Sequence, residues 1–489
     1  MRLSYLFNAV SFVFICIGFV TLLPAVVAII YGETNCILPF VATGIGAMLL
    51  GGFFKLIVNH FLTKDKKMTD IKKAEGLATV LLSWLIFAII ASIPYLFFNF
   101  GVVDSFFEGI SGITTTGATI LTHYNYPHTL FFWRAFTQWL GGMGIIILFI
   151  AILPQFAIAG RQMFFAEAPG PTEDKLTPRI KNTAIALWSL YIVLTLIEIG
   201  LLVYFKMPLF DAICNAFSTI SSGGMSLNEF SIAGYHSLPI TWVVIVFMFL
   251  SGCNLALVYR FITQLKWKMI FHNEEFRTYI GIILVVSALI ALFFWNTSNE
   301  FSFINLTNIV FTVVSLMTST GFACSDYTYW ATSAQIILLI AILAGSSAGS
   351  TGGGIKIMRA LIVFKYLKRE VIKFLHPNAV VTIKLDRTTV APEIISQIIG
   401  FVIFYVTILI ISSITVSFIE NNAVIGFTGS FSTLSITGPA FGSTLGPMGN
   451  YESLHDLTKI IFMFNMLIGR LELVPFLILL NKDYWVFKK

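Results

Sequence analysis

The sequence predicts an all-α membrane protein. Four pseudo-symmetric units, each a span, a short pore helix and a second span, surround a central pore, and an N-terminal pair of transmembrane helices is added to them. Three observations carry this prediction. Of 489 residues, 57% are hydrophobic and 11% charged, and the mean hydropathy is +0.88; a soluble domain carries roughly 25% charged residues. Four times a short apolar segment runs into a Ser/Thr-rich turn closed by glycine: Thr114–Gly117, Ile220–Gly223, Thr318–Gly321 and Ser435–Gly438. A recurrence roughly once per hundred residues marks one unit used four times. Finally, the basic residues are asymmetric. Of the 30 Lys and Arg, Arg134, Lys206, Lys459 and Arg470 lie away from the segments read as cytoplasmic, while most of the rest cluster at Lys64–Lys73, Arg161–Lys181, Arg260–Arg277, Lys356–Arg387 and the termini. That bias places both termini in the cytoplasm. The opposite loops carry acids such as Glu33, Asp104, Glu229 and Asp326.

In chain order, residues 1–75 hold spans at about 5–30 and 37–60 and a basic linker. The first apolar run is too long for a signal peptide, lacks a clear cleavage site and leads directly into a second span, so it is read as retained. Repeat one, 76–160, places spans at about 76–98 and 130–153 around a short helix, Asp104–Ile113. Repeat two, 161–275, places 183–205 and 238–260 around Leu209–Thr219. Repeat three, 276–375, places 277–295 and an interrupted 332–362 around Phe303–Met317. Repeat four, 376–489, places 391–419 and 456–480 around Val424–Leu434. Short helices of about 15–22 Å cannot cross a hydrocarbon core of ~30 Å, so each enters and returns on one side. The glycine turn then lies within the membrane, where irregular backbone is tolerated only against protein or a water-filled cavity. Four such turns about one axis can present carbonyls that replace the water shell of a bare cation. The negative ends of the helices favour that cation. A single Ser-Gly turn reads equally well as a packing or capping device; four, each after a short helix, favour the ring.

Two further features bear on chemistry. Ala344–Gly354 reads A-G-S-S-A-G-S-T-G-G-G, with five glycines in eleven residues. Each costs a helix about 1 kcal/mol relative to alanine, so the eighth span breaks here, either as a functional loop or as a plain kink. The same string contains G-x-S-x-G at Gly345–Gly349. That nucleophile motif needs a preceding strand and a histidine, and here the flanks are apolar helix with every histidine in a loop or at a span end. Arg470 lies near the middle of the last span, where a charge is expensive and usually faces the bundle interior. It serves either the pore or a structural ion pair; Glu472 is on another helix face. The five cysteines show no C-x-x-C spacing, which argues against a disulfide framework or zinc site. The net charge of +6 is a topology signal, and no nucleic-acid partner is expected.

The four turns, G-S-T-G-G-G-I-K at Gly349–Lys356 and I-G-R-L-E at Ile468–Glu472 together resemble the potassium-translocating subunits of the Trk/Ktr/HKT superfamily. The N-terminal pair makes the chain more similar to the TrkH/TrkG branch than to the shorter KtrB branch. The resemblance implies a potassium-binding filter of Thr115, Thr116 and Gly117; Ser221, Ser222 and Gly223; Ser319, Thr320 and Gly321; and Ile436, Thr437 and Gly438. It implies a gate containing Gly345, Gly349, Gly352, Gly353 and Gly354, with Arg470 beside it. It also implies potassium uptake across the inner membrane, a homodimer, and a cytosolic TrkA-like nucleotide-binding regulatory subunit. No cofactor is expected; potassium is the transported substrate. The alternatives are a sodium-permeable or ion-coupled relative, a secondary solute transporter with Glu198 as its main intramembrane acid, and a membrane hydrolase, which lacks a base.

Overall fold

In the computed structural model, residues 3–62, 73–144, 180–264, 271–298, 302–386 and 388–471 are described. Their regular structure is helical apart from one small antiparallel hairpin, in which Lys384 pairs with Thr389 and Leu385 with Thr388. Six of their helices are long and apolar enough to cross a membrane, or seven if one bent pair counts as a span. The expected spans at 130–153 and 456–480 continue into residues outside those described, as does Glu472.

The N-terminal pair comprises α1 (Leu3–Val20), α2 (Leu23–Ile30) and α3 (Ile37–Ile57). Proline in the first turn of α2 suits a helix start, because its missing N–H would be unpaired there anyway. Small residues let α1 and α3 touch. A Cβ at Gly18 would lie 2.6 Å from the Gly44 carbonyl oxygen, and one at Gly44 2.7 Å from that of Gly18. Ser11 Oγ donates to the Gly51 carbonyl at 2.7 Å. Within lipid such close approach and interhelical hydrogen bonding replace the hydrophobic drive of water.

Repeat one is α4 (Lys73–Leu96), α5 (Val102–Ile113) and α6 (His128–Met143). Repeat two is α7 (Ile180–Tyr204), α8 (Leu209–Ile220), α9 (Leu238–Ser251) and α10 (Leu255–Gln264). Repeat three is α11 (Glu274–Ser298), α12 (Phe303–Met317), α13 (Thr332–Ala344) and α14 (Ile357–Leu375). Repeat four is α15 (Pro392–Glu420), a π turn (Ile425–Gly429) running into α16 (Ser430–Ser435), and α17 (Asp456–Arg470). The four short helices therefore exist as expected, the last beginning with a wider turn.

One expected span is corrected. Residues 238–260 are not one helix: α9 and α10 meet at 103°. Gly252 has no room for a side chain, since a Cβ there would come within 2.6 Å of both Tyr279 Oη and a Thr318 methyl. Asn254 Oδ1 accepts the N–H of Ala256 at 2.9 Å and of Leu257 at 3.2 Å, which starts α10 as an ordinary N-cap. The carbonyls freed at Ser251 and Gly252 accept from the N–H of Thr351 and Ser347, at 3.3 and 3.0 Å. The break is thus paired with the interruption expected at Ala344–Gly354, which lies between α13 and α14.

A carboxylate ties the N-terminal pair to repeat one. Glu33 accepts the first two N–H groups of α6, from His128 at 2.7 Å and Thr129 at 3.0 Å, and the Thr129 hydroxyl at 2.5 Å. A negative charge at this positive helix end is stabilising. Burial alone would raise the Glu33 carboxyl, but the hydrogen bonds from Thr129 and His128 hold it below its ordinary 4.5. A depressed acid contributes stability that is complete above its ordinary pKa and is lost as pH falls through the lowered value. Glu33→Gln should therefore melt below the parent in detergent at neutral pH, with the gap closing progressively below pH 4.5. A gap that does not change with pH would show that the charge does not hold the pair in place.

Candidate functional site: four turns and the loop beneath them

Each short helix ends in the same hydrogen-bonded closure. A residue at the cap or just past it is left-handed: Thr115, Ser222, Ser319 and Ile436, with φ of 59°, 57°, 55° and 59°. The next N–H returns to the helix, from Thr116 to the Ser111 carbonyl (3.0 Å), Gly223 to Ser218 (2.8 Å), Thr320 to Ser315 (2.9 Å) and Thr437 to Ser432 (2.9 Å). This is the usual left-handed helix stop, in which glycine ordinarily takes the strained position. Here a hydroxylated or β-branched residue takes it in every repeat, at a cost of about 1–3 kcal/mol each. Glycine follows two residues later, again with positive φ: Gly117 79°, Gly224 71°, Gly321 81° and Gly438 85°.

These glycines close a ring. A Cβ on Gly117 would strike the Gly223 carbonyl oxygen, one on Gly224 that of Thr320, one on Gly321 that of Thr437, and one on Gly438 that of Thr116. Each turn therefore abuts the next, and the fourth abuts the first. All four glycines line one open funnel together with Arg134 and Glu229.

The register of repeat two differs from the sequence expectation. Ser221, Ser222 and Gly223 align with Thr114, Thr115 and Thr116, so the counterpart of Gly117 is Gly224. Ser-Ser-Gly-Gly offers two glycines, and alignment on the first is one residue short. The helix closure sets the count. Repeat two thus has glycine where the other three have threonine.

The side chains of the left-handed residues meet the Ala344–Gly354 loop. Ser222 Oγ pairs with Thr351 Oγ1 at 2.8 Å. Ser319 Oγ accepts the Gly353 N–H at 2.7 Å. A Cβ on Gly353 would lie 2.6 Å from the Ser435 carbonyl and 2.9 Å from Ile436 Cβ, and one on Gly352 2.7 Å from the Thr318 carbonyl. Gly345, Gly349 and Gly354 have φ of 69°, 74° and 80°, at the start, middle and end of the loop. Arg470 completes the underside. Its guanidinium donates to the Thr351 carbonyl at 2.9 Å, Thr115 Oγ1 at 3.2 Å, the Gly142 carbonyl at 2.8 Å and the Gly141 carbonyl. The expected loop, turns and arginine are one contact network. Within G-x-S-x-G, Ser347 follows a helix, not a strand, and its N–H bonds Gly252. Glu198 is buried in α7 and takes part in none of these contacts.

Sequence reasoning missed several supporting residues. Ser111, Ser315 and Ser432 each donate to a carbonyl seven residues on, at Ala118 (2.5 Å), Phe322 (2.7 Å) and Pro439 (2.9 Å). The repeated S-x-x-[ST] at Ser111, Ser218, Ser315 and Ser432 was a legible sign of them. Arg134 and Glu108 are both buried and paired, Nε to Oε1, at 2.7 Å. Arg134 also donates to Thr119 Oγ1 at 3.0 Å, and Glu108 accepts the Ile120 N–H at 3.1 Å. This pair fixes the segment that leaves the first turn. Arg134→Ala would strand a buried carboxylate and should cost about 3–5 kcal/mol, whereas removing both charges with apolar or neutral groups costs less. Chemical denaturation of Arg134→Ala and of Arg134→Met with Glu108→Gln checks this; equal stabilities would exclude a coupled pair.

Comparison with known proteins agrees with this architecture. The TrkH family profile, described as a cation transport protein, matches residues 45–484. The Trk system potassium uptake protein TrkH of Salmonella typhimurium is 34% identical over 474 residues, 95% of each chain. Its Escherichia coli K12 namesake is 35% identical over 475 residues, again 95% of each. The potassium uptake protein TrkG of E. coli K12 is 30% identical over 470 residues, 94% of each. The crystal structure of the potassium transporter TrkH from Vibrio parahaemolyticus superposes with a TM-score of 0.87 at 29% identity, covering 99% of this chain and 100% of that one. With its helical spans and its ring of turns, this chain is a membrane transport protein and not an enzyme, and it belongs to the TrkH family of cation transport proteins.

Proposed function

We propose that this chain is the potassium-conducting subunit of a Trk-type uptake system in a bacterial inner membrane. The observation that carries this is the closed cycle of four turns, each glycine seated against a carbonyl of the next repeat. Backbone oxygens around such a ring suit a weakly hydrated cation that must shed its water. The relatives named above as potassium uptake proteins support the choice of ion. The funnel lined by the four glycines faces outward and the basic loops face the cytoplasm, as do both termini. The pore is built from repeats 76–160, 161–275, 276–375 and 376–489, behind the 1–75 pair.

Thr115, Thr116, Gly117, Ser222, Gly223, Gly224, Ser319, Thr320, Gly321, Ile436, Thr437 and Gly438 form the filter, with Ser221 behind it. The Ala344–Gly354 loop is the gate. It seals the underside of the ring through Thr351, Gly352 and Gly353, and Arg470 both holds it there and sets a positive charge on the ion path. A homodimer and a cytosolic TrkA-like nucleotide-binding ring complete the system. Glycine at position 117 favours potassium over the sodium-permeable alternative, because a bulkier residue there would displace the Gly223 carbonyl.

Two liposome flux experiments test this. Gly117→Ser should still conduct but lower the potassium-to-sodium permeability ratio by roughly tenfold, equivalent to about 1.4 kcal/mol. A ratio equal to the parent's would remove Gly117 from the filter. Arg470→Ala should raise potassium flux in the absence of any cytosolic subunit, since four acceptors lose their donor. Unchanged flux in a folded variant would remove Arg470 from the gate.

A further inference from the structure

Repeat two breaks the fourfold pattern at one atom position, and another repeat fills the gap. In repeats one, three and four the threonine before the glycine turns its hydroxyl back to the residue two earlier. Thr116 Oγ1 lies 2.8 Å from Thr114 Oγ1, Thr320 Oγ1 2.8 Å from Thr318 Oγ1, and Thr437 Oγ1 3.1 Å from Ser435 Oγ. Gly223 has no such side chain. The space its Cβ would take is filled by the carboxamide of Gln138, which comes from α6 of repeat one. Gln138 Nε2 donates to the Gly223 carbonyl at 2.7 Å, and Gln138 Oε1 accepts the Met225 N–H at 3.4 Å. Gln138 is fully buried. The hydroxyl of Ser218, whose counterparts brace their own turns, has no hydrogen-bond partner among the described residues. The Gly223 carbonyl is also the one against which Gly117 is seated, so the amide acts on the seam between the first and second turns.

We infer that Gln138 is a specificity-determining positioning residue, which sets the ion preference of the ring by holding and partly neutralising the Gly223 carbonyl. The inference rests on the potassium-filter assignment above. A carbonyl that already accepts an N–H presents a weaker field to an ion than a bare one. Ligand number and field strength decide between potassium and the smaller sodium. Released from Gln138, the Gly223 oxygen gains field strength and freedom to move inward, and both changes favour sodium. Gly223 does not have positive φ, so its backbone accepts a threonine once Gln138 is shortened.

The test is the potassium-to-sodium permeability ratio of the full chain in liposomes. Gln138→Met keeps the length of the side chain and removes the amide. Its ratio should fall about fivefold, which corresponds to about 1 kcal/mol, the usual net worth of one hydrogen bond. The double variant Gln138→Ala with Gly223→Thr gives repeat two the hydroxyl pairing of the other three and should recover most of the parent ratio. A folded, conducting Gln138→Met with the parent ratio overturns the inference. So does failure of both variants to fold, which would make Gln138 a structural strut. A parent protein without potassium-selective flux would instead overturn the filter assignment itself.

Discussion

Four helices end inside this protein, where water is not available to take up their last backbone groups. An unpaired N–H or carbonyl in such a place costs several kcal/mol, and the surrounding architecture is arranged to avoid that cost. The left-handed closure pairs the N–H groups at Thr116, Gly223, Thr320 and Thr437 with the preceding helix turn. The serines at 111, 315 and 432 pair carbonyls beyond the glycines. The strained residue in each turn has a polar or close apolar contact below it. Strain of this kind persists only where the surroundings over-determine it, and here the Ala344–Gly354 loop and Arg470 supply the contacts.

The same requirement explains why two helices break where they meet. Ending α9 at Ser251 leaves two carbonyls that need donors, and the Ala344–Gly354 loop supplies Ser347 and Thr351 N–H. Thr351 Oγ1 also reaches the Ile220 and Ser251 carbonyls at 3.1 and 3.2 Å. Each irregular segment is the hydrogen-bonding environment of the other. A loop held this way is stable while its donors are matched, and Arg470 supplies the match on the remaining side. Its guanidinium has five donors in a fixed fork, which a lysine could not place on two carbonyls and a hydroxyl of repeat one and on a carbonyl of the loop at once.

Much of this was legible in the sequence, because composition, span length and the spacing of the four turns are direct consequences of membrane physics. The short helix at Phe303–Met317 was read to the residue, since polar or turn-forming residues bound it on both sides. The register of repeat two was not, because adjacent glycines are indistinguishable until the helix stop defines the count. The kink after Ser251 was hidden for a related reason: S-G-C-N is compatible with a continuous apolar span, and only the steric conflict at Gly252 and the loop's donors disfavour one. Arg134 stood out in sequence as a basic residue away from the basic loops. Its role depends on Glu108, which lies on a different helix, and pairing across helices leaves no local pattern.

α6 gathers these constraints into one element. Its first turn is capped by Glu33 from the N-terminal pair. Arg134, one turn and a half further, anchors the chain that leaves the first turn. Gln138 follows four residues on and supports the second turn. The carbonyls of Gly141 and Gly142, at its end, accept from Arg470. Residues spaced by three or four share a face of a helix, so Arg134, Gln138, Gly141 and Gly142 present one continuous edge to the ring. One helix thus joins the Glu33 cap, the seam between the first two turns and the arginine beneath them. The N-terminal pair, although outside the fourfold repeat, is positioned to hold that helix in place.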